Sequence, residues 1–174
     1  MNNKILNLRN KNRDGFTLAE VLLAVLIIGI LAIAVFVILD YIRIKSADAK
    51  RVTDINKIDK ALEVYYDKYA FYPDTLSDLL EDGFLSFVPI PATDAGQSEY
   101  SYVPLGANGI CTGFHLGASL RDKSHDVLIG DSDSYPGIPC AGAKTKDFDG
   151  TAVYCKSGEI GEGSKNDTCF DIAR

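Results

Sequence analysis

Glu20 is the only charged residue in an apolar run that extends from Phe16 to Leu39. Moving a carboxylate out of water is costly unless a positive or hydrogen-bonding partner satisfies it. An ionisable side chain in such a run therefore indicates a functional pairing site by default. The simpler interpretation is that Glu20 only reaches the polar headgroup layer of a membrane. The residues around Glu20 decide between these two interpretations.

Aspartates concentrate in the polar stretch between residues 121 and 150. Those considered as possible ligands are Asp126, Asp131, Asp133, Asp147 and Asp149. Carboxylates in loops can bind calcium, but the segment KDFDGTAVYCKS lacks the glutamate that closes an EF-hand loop. We therefore expect solvated loop acids and no cofactor, with calcium binding in this region as the alternative.

The two histidines, His115 and His125, do not complete a catalytic set. His115 falls in a predicted strand and is expected at the edge of the core. A Ser-His-Asp or Cys-His arrangement cannot be argued from these residues alone. We predict that the protein is not an enzyme, and we assign no catalytic and no metal-binding residue.

The cysteines all lie in the C-terminal part of the chain: Cys111, Cys140, Cys155 and Cys169. No CxxC pair occurs, so the spacing of a zinc site is absent. An even number of cysteines beyond an apolar run favours two disulfides and an oxidising compartment. The favoured pairing joins Cys155 to Cys169 and Cys111 to Cys140. Crossed pairings also fit the sequence.

The apolar run is long enough to cross a bilayer as a helix, which needs about 20 residues. It is too long for a secretory signal peptide, and the segment DYIR that follows it is a poor cleavage site. The run should therefore remain in the processed protein. Basic residues flank it equally on both sides, so charge bias does not orient the span. The cysteines favour an external C-terminal part.

The segment GFTLAE, residues 15–20, follows a short basic leader and opens the apolar run. This combination resembles the N-terminus of a type IV prepilin or pseudopilin. The resemblance implies that a prepilin peptidase cuts after Gly15 and methylates the new N-terminus at Phe16. Residues 1–15 would then be a cleaved leader. It also implies that Glu20 pairs with the N-terminal amine of a neighbouring subunit during assembly.

The element that would carry these residues is a long helix. Beyond the run, apolar residues recur at spacings of three and four, on one helical face: Val52, Ile55, Ile58, Leu62, Tyr65 and Tyr69. No glycine or proline interrupts residues 40–72, so one helix is predicted from Phe16 to about Ala70. Its first part, 16–39, is the transmembrane and assembly segment, and 40–72 is its amphipathic continuation.

Residues 73–174 are predicted to form an α+β head, with an antiparallel sheet packed on the second half of the helix. YPDTLSDLLEDGFL should form a short helix that ends at Gly83. Strands are expected near Glu99–Val103 and in CTGFHLGASL, TAVYCKS and TCFDIA. The order of segments between about 65 and 103 is similar to the major pseudopilins of type II secretion, which often bind calcium in the head.

The net charge of −6, together with a basic leader, makes the head acidic, so no direct nucleic-acid binding is expected. The resemblance implies a structural subunit of a type IV pilus or pseudopilus. Its expected partners are prepilin peptidase, copies of itself, other pilins and an inner-membrane assembly platform. The expected location is the cytoplasmic membrane, as a single-pass precursor with its N-terminus inside, and then an extracytoplasmic filament.

Two other functions stay open on the sequence alone. One is a minor pilin-like adhesin or substrate-binding module at a filament tip. The other is a membrane-anchored extracytoplasmic domain that never polymerises. Cleavage after Gly15 would separate the pilin-like functions from the anchored domain. The sequence does not distinguish motility, DNA uptake, adhesion and secretion.

Overall fold

The structure is a computed structural model that describes residues 15–107, 109–140, 146–157, 159 and 167–174. The predicted leader therefore lies outside the described residues, except for Gly15. The chain divides into two compact units between Tyr41 and Ile42. The fold combines one long helix with a three-stranded antiparallel sheet, which confirms the predicted α+β class.

The long helix, α1, extends from Leu18 to Tyr69 and confirms the predicted element. Its composition permits this length, because proline is absent and Gly29 is its only glycine. The helix stops where Ala70 adopts a φ of 61° and donates its N–H to the Tyr66 carbonyl at 2.7 Å. A left-handed residue at this position is a common helix terminator, and Pro73 follows it closely.

The core of the second unit forms on the predicted apolar stripe of α1. Ile55, Ile58 and Leu62 are completely buried. They share one cluster with side chains of the sheet, among them Phe114 and Leu116. Burial of this one-sided stripe fixes the amphipathic part of α1 in the head.

Strand β1 (Ser101–Ala107) pairs with β2 (Ile110–Ser119), and β2 pairs on its other side with β3 (Cys169–Ala173). Both pairings are antiparallel, and the β1–β2 register shifts between Leu105 and Gly106. The strand expected near Glu99–Val103 thus begins slightly later and runs further. The strands expected in CTGFHLGASL and TCFDIA are confirmed.

The remaining predicted elements have mixed outcomes. The short helix is present as α2 (Asp78–Glu81), and Asp78 accepts the N–H of Thr75 at 2.8 Å. Short 3-10 helices occur at Thr93–Ala95 and Asp126–Ile129. The strand predicted in TAVYCKS, residues 151–157, is wrong, because this segment forms turns and bends with a single bridge from Ser157 to Phe148.

Side chains explain why residues 151–157 do not form a strand. The Thr151 N–H donates to the Asp149 carboxylate at 2.9 Å, and the Cys155 N–H donates to the Ser119 hydroxyl at 3.0 Å. Backbone donors that are satisfied by side chains are not available for a ladder. The alternating pattern in the sequence therefore lacks the hydrogen bonds that a strand requires.

Candidate functional site

Gly15, Phe16 and Thr17 precede α1 without regular secondary structure. The Phe16 side chain is 88% exposed. A Cβ added at Gly15 would meet no atom within 4 Å. The peptide bond between Gly15 and Phe16 is therefore flanked by open space, as an enzyme that cuts there would require.

Glu20 is hydrogen-bonded to Thr17 in a reciprocal cap at the start of α1. The Thr17 N–H and hydroxyl donate to Glu20 Oε2 at 2.9 and 2.8 Å. The Glu20 N–H donates to the Thr17 hydroxyl oxygen at 3.3 Å. This is the capping-box arrangement of a threonine followed three residues later by a glutamate. Thr17 is an unpredicted part of this site, although the pattern T-L-A-E contains the capping signal.

The first unit presents an apolar surface that no described residue covers. From Gly15 to Arg43, every side chain that the structure describes is exposed. Helix α1 contains a stretch long and apolar enough to cross a membrane, and none of that stretch is buried. An apolar helix of this kind must be covered by lipid or by other helices.

The second unit contains an acidic cluster formed by Asp131, Asp133 and Asp171. One carboxylate oxygen from each lies within 4.8 Å of the other two. Asp131 Oδ1 and Asp133 Oδ1 are buried without a hydrogen-bond partner. Burial, together with the neighbouring carboxylates of Asp171 and Asp133, raises the pKa of Asp131 to about 7. The cluster therefore holds two buried carboxylate oxygens, on Asp131 and Asp133, that no described residue satisfies.

His115 contacts Asp171 of this cluster and is completely buried. Its Nδ1 is 2.9 Å from Asp147 Oδ1, and its Nε2 is 2.8 Å from Asp171 Oδ2. Burial alone would lower the pKa of His115, but the hydrogen bonds to Asp147 and Asp171 outweigh burial and raise it. The expectation that His115 lies at the edge of the core is wrong, because two buried carboxylates compensate the imidazole inside it.

The loop aspartates differ in their surroundings. Asp126 is exposed and Asp131 and Asp133 are half-buried, whereas Asp147 and Asp149 are buried. Asp147 accepts the N–H groups of Gly137 and Phe148 at 2.6 and 2.9 Å. The expectation of solvated loop acids is therefore wrong for Asp147 and Asp149, since backbone donors replace water around them. Sequence reasoning also missed Asp171, which its strand position gave no reason to group with the loop acids.

The cysteines form two disulfides, Cys111–Cys140 and Cys155–Cys169, with Cα–Cα distances of 5.5 and 4.9 Å. The favoured pairing is confirmed. Cys155 and Cys169 belong to a second, smaller core with Val103. The first disulfide joins strand β2 to the loop that follows the second 3-10 helix, and the second joins the loop before β3 to β3 itself.

Two comparisons with known proteins found a match to this chain. Residues 10–36 match the family model described as the prokaryotic N-terminal methylation motif. Type II secretion system core protein G of Vibrio cholerae serotype O1 (strain ATCC 39315 / El Tor Inaba N16961) is 32% identical over 127 residues. The alignment covers 64% of this chain and 85% of that protein. No solved structure matches the chain.

The chain carries the methylation motif at the start of an apolar helix that no described residue covers, and an α+β head follows in sequence. These features define a pilin-like structural subunit that is anchored in a membrane as a precursor. The likeness to the Vibrio protein extends through most of that relative. The chain belongs to the family of type II secretion system core protein G, the major pseudopilins.

Proposed function

We propose that a prepilin peptidase cuts this chain between Gly15 and Phe16 and methylates the amine of Phe16. The open, non-helical backbone at residues 15–17 and the methylation motif at residues 10–36 support this proposal. Removal of the leader would leave a positive amine a few residues before Glu20. The assembled subunit has no catalytic role in this proposal.

Assembly then follows from the charge of that amine. The observation that carries the proposal is an apolar helix surface, uncovered in the described residues, that holds a single carboxylate at Glu20. In a filament the apolar surfaces pack together and leave lipid, and Glu20 meets the N-terminal amine of the neighbouring subunit. Inside such a bundle, a buried carboxylate without a positive partner is strongly destabilising. Docking is therefore selective for a processed neighbour.

The membrane orientation follows from the chemistry of the head. The precursor holds its N-terminus in the cytoplasm, and the head with its two disulfides folds in an oxidising space outside. Copies of itself, other pilin-like subunits and an inner-membrane assembly platform are the partners of this pathway. Similarity to a secretion protein favours a secretion pseudopilus over the other filament functions.

Calcium is the cofactor that the acidic cluster fits. Calcium prefers carboxylate oxygens and takes about six to eight oxygen ligands. Asp131, Asp133 and Asp171 would hold it, and two of their buried oxygens lack another partner. The ion would supply positive charge that neutralises the cluster. It would thereby fasten the loop that carries Asp131 and Asp133 to strand β3.

Intact-mass spectrometry of subunits from sheared filaments tests processing. The expected mass corresponds to residues 16–174 with one added methyl group and four fewer hydrogens for two disulfides. A Gly15→Val variant should stay at precursor mass in the membrane, because a branched side chain blocks the peptidase. Gly29→Val makes the same substitution inside α1, away from the cleavage site, and is the matched control that should be processed. Gly15→Val protein at the processed mass would contradict the leader assignment.

A further inference from the structure

The segment 133–137 is held by two carboxylates through its backbone. The N–H groups of Asp133 and Ser134 donate to Asp171 at 2.9 and 3.0 Å. The N–H of Gly137 donates to Asp147 at 2.6 Å. The segment contains Asp133, so its position sets where one side of the acidic cluster lies.

His115 is the shared partner of these two carboxylates. Each of its ring nitrogens contacts a different one, at 2.9 and 2.8 Å, and the ring is completely buried. A hydrogen bond on each nitrogen fixes the rotation of the imidazole as well as its position. The three side chains therefore form one connected unit that joins strand β2, strand β3 and residue 147.

Asp171 has two roles in this arrangement. Its Oδ2 accepts from His115 and Ser134, and its Oδ1 accepts from Asp133. It is also one of the three carboxylates of the acidic cluster. Its orientation toward the cluster is consequently set in part by His115 and Ser134, which do not belong to the cluster.

We propose that His115 is the positioning residue of the calcium site, which it serves by orienting Asp171 and, through Asp147, the segment that carries Asp133. The inference rests on the calcium site proposed above. Hydrogen-bond partners of metal ligands typically change metal affinity by about 10- to 100-fold when they are removed. His115 would act on the ion without contacting it.

The test is isothermal titration of calcium chloride into the full-length chain in detergent, with the unfolding midpoint in EDTA measured in parallel. His115→Gln should weaken calcium binding by about tenfold or more, since glutamine cannot contact both carboxylates. Asp147→Asn should also weaken it, although Asp147 lies outside the cluster. If His115→Gln does not fold, Asp147→Asn still tests whether a residue outside the cluster changes calcium affinity.

Phe114→Leu is the matched control, since Phe114 is a buried neighbour on β2 that faces the main core. It should lower the unfolding midpoint and leave the calcium Kd within about twofold of wild type. Equal weakening of calcium binding by Phe114→Leu would show that affinity only follows stability and would overturn the proposal. Wild-type affinity in both His115→Gln and Asp147→Asn would overturn it too, with the calcium site itself retained.

A wild-type chain that binds no calcium would overturn both this inference and the calcium site. Filament formation by the same preparations is scored separately by electron microscopy. Wild-type filaments without calcium binding would thus reject the metal site and leave the filament function standing. Calcium binding that depends on His115 supports the inference whatever the filament count.

Discussion

Arg51 is an arginine of α1 that has no exposed surface. Its Nη1 donates to Asp48 at 2.5 Å, and its Nη2 donates to the Ala92 carbonyl at 2.6 Å and also to Asp94. The same Asp48 accepts the N–H of Arg121 at 3.1 Å. One buried cation thus connects α1 to the start of the first 3-10 helix, and Asp48 connects α1 to the backbone that follows β2.

Arg51→Ala should destabilise the head by roughly 3–5 kcal/mol, because it leaves Asp48 buried without its charge partner. Arg121→Ala removes an exposed guanidinium 3.4 Å from Asp94 and should cost at most about 1 kcal/mol. Urea unfolding of the full chain in detergent, followed by tyrosine fluorescence, measures both. Equal effects of the two variants would show that Arg51 behaves as a surface ion pair.

The acidic cluster predicts a pH dependence. Burial raises the pKa of Asp131 from 3.8 to about 7, and burial together with a hydrogen bond to Asp133 raises that of Asp167 to about 7. A pKa that is higher in the folded state gives stability that is complete below 3.8 and lost as pH rises through 7. His115, whose pKa is also raised, acts in the same direction.

In EDTA, the urea midpoint of the head should therefore fall as pH rises from about 4 to about 7. Asp131→Asn should make this dependence shallower, because the amide does not ionise. Calcium should restore the midpoint at pH 7, since the ion replaces the lost protons. A midpoint in EDTA that rises across this range would contradict the raised pKa values.

At the scale of elements, the two disulfides fasten segments that have little regular structure. Cys155 and Cys169 are completely buried and share the second core with Val103 and Phe148. Gly117 makes this packing feasible, since a Cβ there would lie 2.7 Å from the Phe148 ring and 2.8 Å from Cys155 Sγ. The turns at residues 151–157 therefore depend on the disulfide and on contacts with the sheet.

The variant Cys155→Ser/Cys169→Ser should lose about 3 kcal/mol, the contribution of a loop of about 15 residues in the chain-entropy model. Limited proteolysis should then cut the head beyond about residue 105, while the membrane-embedded part of α1 stays intact. Quantitative gel analysis of the fragments is the measurement. Free thiols at all four cysteines in wild-type filaments would contradict both the pairing and the oxidising compartment.

Elements with a local signal were predictable from the sequence. The apolar stripe that includes Ile55, Ile58 and Leu62 predicts the amphipathic part of α1. The alternation of side chains between the two faces of a strand predicts β2. Pattern alone was insufficient at residues 151–157, because backbone N–H groups there donate to distant side chains such as the Ser119 hydroxyl, and these hydrogen bonds decide the conformation.

The candidate sites divide in the same way. Gly15, Phe16 and Glu20 lie within six residues of one another, so the sequence motif alone was enough to predict them as one site. The partners of His115 lie 32 and 56 residues away, and only the folded sheet brings them together.

In the whole molecule, the surface proposed for assembly and the contacts that stabilise the head lie in different units. The first unit, up to Tyr41, contains the processing segment and the exposed apolar surface. The second unit contains the buried ion pairs, the acidic cluster and both disulfides. A change in one unit should therefore affect either assembly or head stability, and leave the other property unchanged.

Glu20→Leu tests this separation. The variant makes the helix more compatible with lipid, so it should insert and be cleaved as wild type does. Its disulfides and the unfolding midpoint of its head should be unchanged, because its hydrogen bonds to Thr17 lie outside the second unit.

Filaments should be absent when Glu20→Leu is the only subunit, since a neighbour's amine would be buried without a carboxylate. Co-expression with wild type should allow it to join mixed filaments, which mass spectrometry of sheared material quantifies. Glu81→Leu, which removes an exposed carboxylate from α2, is the matched control and should assemble normally. Filaments of wild-type abundance built from Glu20→Leu alone would refute the pairing of this carboxylate with the amine.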